Sequence, residues 1–148
     1  MNPSTDPVLT VVLLIHLLST AMMTGLIWFV QIVHYPLMAR VGSEGFSEYE
    51  DAHTKSTTSV VGPLMLLELA SAIYLLRLVD QVGWAPPILG LAALAVIWIS
   101  TAFVQVPCHR ILTNGFDSSA HQRLVRTNWI RTVLWSFRSI CAAWILIA

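Results

Sequence analysis

The residues able to do chemistry in this chain are few, and they gather at two levels. Gln31 and His34 are three apart, and Gln105 and His109 are four apart. Either spacing puts a pair on one helix face. His53 lies just beyond an acidic run, and Asn128, Trp129 and Arg131 stand close together further on. If His34, His53 and His109 meet at one depth, their imidazoles suit a transition metal such as zinc, copper or iron. Two of them could instead be the axial ligands of a haem. In that reading Gln31, Gln105, Tyr35 and Trp129 line or orient the cofactor, and Asn128 and Arg131 act on the substrate. Arg131 would hold an anionic or carbonyl oxygen. No HExxH or CxxC spacing marks a metal site. Two other readings stay open: a polar pocket for an organic ligand, and a hydrogen-bond network that ties helices together.

A second level is set by Glu68, Arg138 and His16. Each falls within an otherwise apolar stretch, where a lone charge costs several kcal/mol. A structural Glu68–Arg138 ion pair, or a Glu68–His16 hydrogen bond, relieves that cost. A proton relay or a clamp for a substrate carboxylate is the alternative. Cys108 and Cys141 are expected at different depths, which excludes a disulfide between them. Cys108 reads as a buried thiol, with thiolate ligation beside His109 as the other option. Of six tryptophans, Trp84, Trp129 and Trp144 read as interface anchors. Trp28, Trp98 and Trp135 read as packing residues.

These side chains need elements to hold them. From Pro7 to Ala39, and again from Gln81 to His109, there is no Asp, Glu, Lys or Arg. Thr57 to Val79 carries only Glu68 and Arg77, and Asn128 to Ile147 only Arg131 and Arg138. A bilayer span needs about 20 apolar residues, so four spans are expected. The whole chain of 148 residues is 56% hydrophobic and 11% charged, against about 25% charged in soluble domains. That excludes a disordered chain and a disulfide scaffold. Eight basic and eight acidic residues leave no net field for nucleic acid. We therefore expect one all-α domain over residues 1–148, an integral membrane four-helix bundle with helices at about 7–39, 46–79, 87–113 and 118–147.

Arg40, Lys55, Arg110, Arg123 and Arg126 cluster around the first and third loops. The positive-inside rule then puts those loops in the cytoplasm and both termini outside. The first span reads as uncleaved, because its flank has Asp6 and no basic residue. His34-Tyr35-Pro36 and Pro63 are expected to bend their helices, and Gly83 with Pro86-Pro87 to form the outer turn. Phe29-Val30-Gln31-Ile32 matches Phe103-Val104-Gln105-Val106, which suggests two helical hairpins related as a parallel repeat.

Two strings look familiar. They are Leu124-Val125-Arg126-Thr127-Asn128-Trp129-Ile130-Arg131, with Trp135 beyond, and His34-Tyr35-Pro36-Leu37 followed by Tyr49 and His53. They resemble small bacterial four-span membrane proteins and, more loosely, the anthrone-oxygenase-like membrane family. The resemblance covers most of the chain in architecture and only these strings in motif. It implies a bacterial inner-membrane protein and cofactor-light oxidation of an aromatic substrate by dioxygen. Residue by residue it reaches Asn128, Trp129 and Arg131. The leading expectation is a membrane oxidoreductase-like protein acting on a small lipophilic ligand. A subunit or assembly factor of a larger membrane complex, and a small transporter, are the alternatives. Membrane lipid is a partner in each case, and a second copy of the chain is an open one.

Overall fold

The computed structural model describes residues 6–147. Four helices account for nearly all of them: α1 Pro7–Met38, α2 Phe46–Val82, α3 Ala85–Leu112 and α4 Ser118–Ile147. Each is long and apolar enough to cross a membrane. The chain is thus an all-helical bundle of four candidate spans. At about 1.5 Å per residue all four helices exceed the roughly 30 Å of a hydrocarbon core, and α2 and α4 carry their excess as polar first turns. Polar residues from Glu48 to Lys55, and from His121 to Arg126, occupy the overhangs.

Local chemistry sets the helix ends. The Asp6 carboxylate accepts from the amides of Val8 and Leu9 at 2.9 and 3.4 Å, and Pro7 takes the first helical position, where no amide donor is needed. Asp117 accepts from the Ser119 hydroxyl and the Ala120 amide at 2.6 and 2.7 Å. Those two donors hold its carboxyl below the usual pKa. The turn between α2 and α3 is tighter than expected. It is Gly83-Trp84, with Gly83 at φ 78°, and Pro86 and Pro87 belong to the first turn of α3.

The expected kink in α1 takes a definite form. Val30–His34 is a π-helical segment just before Pro36. The same event recurs in α3, where Thr101–Gln105 precedes Pro107. A proline inside a helix lacks its amide and crowds the carbonyl four residues back; a wider turn relieves both. α2 differs, because it stays α-helical across Pro63.

Packing is uneven around the bundle. α1 lies along both α2 and α4, and α3 lies along α4. α2 and α3 follow each other in sequence but touch far less. The main core, which includes Met23, Ile27, Met38, Phe46, Met65, Leu124 and Trp135, sits toward the basic end. A smaller cluster of Leu9, Leu75, Val82 and Ile145 closes the end that carries the described termini. Many large apolar side chains face outward, Phe103 being 74% exposed. A bilayer satisfies such a surface and water does not.

Candidate functional site

The polar groups nearest the basic end do come together. The His34 and His53 rings stack at 4.3 Å between centroids, and His53 and His109 are 5.5 Å apart. Tyr49 lies parallel to both His34 and His53 at 6.3 Å. Beneath His109 is Glu50, which is fully buried. Its Oε1 lies 2.5 Å from His109 Nδ1. On the other side of the ring, Nε2 faces the Tyr35 hydroxyl at 3.3 Å. With Glu50 ionised, Nδ1 carries the proton and Nε2 presents its lone pair. The result is a carboxylate, an oriented imidazole and a phenol in line.

This line borders a cavity of about 420 Å³ under the seam between α2 and α3. Its polar wall includes Tyr35, His53, Gln105, His109 and Arg131. Its apolar wall includes Leu26, Val61, Met65 and Trp98. The volume falls in the range of small-ligand sites, about 300–1,000 Å³. α2 and α3 supply most of its lining and touch each other little, so the cavity lies behind the seam between them, on the side where lipid would lie.

The histidines converge, but not as a shared ligand set. A metal lies in the plane of each imidazole that binds it, at about 2.0–2.1 Å for zinc. The His34 and His53 planes differ by 24° at 4.3 Å separation, so they meet only well beyond the ring edges. His109 has both nitrogens engaged, and His53 Nδ1 faces the Thr57 hydroxyl at 3.1 Å. Among the described residues no group of three or more His, Cys, Asp or Glu is disposed to hold a metal ion. A bis-histidine haem fits no better. Its axial nitrogens would face one another across the iron, about 4 Å apart, whereas the His34 and His53 rings lie face to face.

The other expected site residues divide. Arg131 and Gln105 line the cavity. Gln105 accepts from Ser100 at 3.0 Å and donates to Thr127 at 3.1 Å. Asn128 and Gln31 are turned elsewhere. Asn128 Nδ2 donates to Gln31 Oε1 at 2.9 Å, and Gln31 Nε2 to the Val125 carbonyl at 3.3 Å. They clamp α1 to α4, and neither borders the cavity. Trp129 is 42% exposed and stands edge-on to Trp28 at 5.7 Å. It lies on the lipid-facing side, because its helix turns that position outward.

At the second level the ion pair is present. Arg138 Nη2 donates to Glu68 Oε1 at 3.4 Å, and its Nη1 to the Gly90 carbonyl. Glu68 Oε2 accepts from the Trp135 indole at 2.9 Å. His16 does not reach Glu68. Its Nδ1 lies 2.9 Å from the Ser71 hydroxyl, which itself donates to backbone carbonyls, so His16 is the donor. Cys108 and Cys141 are both free and buried.

Glu50 and His121 enter these hydrogen-bond networks without having been expected from sequence, and Trp135, expected only to pack, also donates to Glu68. Glu50 and His53 are three apart on α2, a same-face spacing that was there to be read. His121 Nε2 donates to the Tyr35 carbonyl at 2.8 Å, near the end of α1, and no spacing announces such a contact. Comparison of the chain with protein-family models, curated proteins and solved structures finds no match.

Proposed function

We propose that this protein takes a small lipophilic molecule from the bilayer and transfers a proton at it. The observation that carries the reading is the Glu50–His109–Tyr35 line bordering a cavity behind the seam between α2 and α3. A buried carboxylate that orients an imidazole makes its far nitrogen a general base. Here that nitrogen accepts from the Tyr35 hydroxyl, and both residues border the cavity, so the phenol takes the ligand's proton as it passes its own to Nε2. Arg131 holds the ligand's oxygen. The reading keeps the lipophilic substrate and the histidines expected from sequence, but assigns them proton transfer in place of metal ligation. Removing a proton from an activated C–H is also the first need of cofactor-light oxidation by dioxygen, the chemistry implied by the resemblance. We place the protein in the bacterial cytoplasmic membrane with the basic end inside and both termini outside, on the distribution of Arg and Lys.

The test uses a lipophilic C–H acid, anthrone deuterated at its methylene, with the full chain in lipid nanodiscs. Loss of deuterium should be accelerated by the native protein. His109→Gln should remove about 10²–10⁴-fold of that rate, the usual worth of a general base, and Glu50→Gln a smaller part. Thermal melts of each variant separate lost chemistry from lost folding. Exchange that is the same with and without the native protein overturns the reading. So does a stoichiometric transition metal that leaves with His53→Ala.

A further inference from the structure

α4 carries two buried arginines, Arg131 and Arg138, seven residues apart on one face. Only one has a counter-charge. Arg138 meets Glu68 across the bundle. Arg131 is 7% exposed and belongs to none of the ion pairs among the described residues. Its Nε is buried without a hydrogen-bond partner. Seven residues before Glu68 on α2, at the corresponding level, stands Val61, and Val61 and Arg131 both line the cavity. Where a second carboxylate would complete the pattern, the protein has an empty space. Glu50 does not fill the role: among the described residues its one ion pair is with His109, and it makes none with Arg131. The guanidinium instead rests 5.3 Å from the Trp135 ring centre, which steadies a cation without neutralising it.

We infer that the cavity's ligand is a lipophilic carboxylic acid, bound as its anion on Arg131. The inference rests on the cavity reading above and adds the ligand's class. A guanidinium this deep calls for an anion that stays with it. One arginine supplies one charge, which matches a carboxylate and falls short of a phosphate dianion. The planar fork of Arg suits a carboxylate's two oxygens. Val61, Met65 and Trp98 give an apolar path for the rest of the molecule toward the α2–α3 seam.

The probes are a diazirine-bearing dodecanoic acid and its methyl ester, photolysed with the full chain in neutral-lipid nanodiscs. Cross-links are mapped by peptide mass spectrometry. The acid should label Val61, Met65 or Trp98 saturably, at about one-tenth the concentration the ester needs, which is what one charge-assisted hydrogen bond provides. Arg131→Gln should bring the two probes within about twofold, and Arg131→Lys should keep part of the preference. The acid–ester comparison on the native protein decides the matter even if the Arg131 variants do not fold. Equal labelling by acid and ester overturns the carboxylate and leaves the cavity reading standing. No cavity labelling by either probe overturns both. Displacement of the acid by phosphatidylglycerol as readily as by unlabelled dodecanoate also overturns it, since the occupant is then an anionic phospholipid.

Discussion

Glu68 shows how much one buried carboxylate can organise. Its two oxygens answer a guanidinium from α4 and an indole from the same helix. Glu68→Gln leaves Arg138 without a counter-charge and should lower stability by on the order of 3 kcal/mol, seen as a drop in Tm in detergent. An unchanged Tm would mean the pair contributes nothing. The Gln31–Asn128 clamp makes a different forecast. Asn128→Leu strands the Gln31 side-chain carbonyl oxygen and should cost about 1–3 kcal/mol. Adding Gln31→Leu removes the stranded group and should recover much of that loss in the same melts. At this scale the sequence was only half legible. His34 and His109 could be nominated because imidazoles in uncharged stretches are conspicuous, and His53 because it stands where α2 nears the same depth. Glu50 was hidden inside an acidic run that reads equally well as a helix start. Trp129 and Asn128 are adjacent in sequence, yet one faces outward and the other inward. Helix rotation decides that, and rotation depends on packing between helices that hydropathy does not encode.

Among the elements, the four spans were legible to within about three residues at each end, because gaps in charge are long and unambiguous. The π segments were not. Pro36 announced a disturbance in α1, Pro107 in α3 went unread, and only the backbone shows a widened turn in both helices. The segments start 71 residues apart, as do the prolines, whereas Gln31 and Gln105 are 74 apart. In backbone register, then, His34 corresponds to Gln105, and the glutamine match that first suggested a repeat is offset by about one turn. A π turn holds one residue more than an α turn. Deleting Val33, an exposed residue in the first segment, should convert it to α-helix and leave the flanking faces aligned. Deleting Leu18, in regular helix, should rotate everything after it and lower Tm by much more. Equal losses would show that the π turn is not a separable insertion.

For the whole molecule, the loose α2–α3 seam matters most. Gly62 lies on the cavity wall, and a Cβ built there meets nothing within 4 Å. Gly62→Leu should therefore fold as well as the native chain or better, since glycine costs a helix about 0.8–1 kcal/mol. It should also reduce photolabelling of the cavity several-fold. Full labelling in this variant would place the ligand elsewhere. The orientation is tested by cysteines introduced at Ser43 and Trp84 and probed with an impermeant thiol reagent in intact cells. Trp84→Cys should react from outside, and Ser43→Cys only after lysis. A cavity entered through the α2–α3 seam also changes what concentration means. Guests would arrive by diffusion within the leaflet, so occupancy would follow their mole fraction among the lipids. Two acids differing only in chain length would look unequal when dosed from buffer, yet match once each is counted per phospholipid.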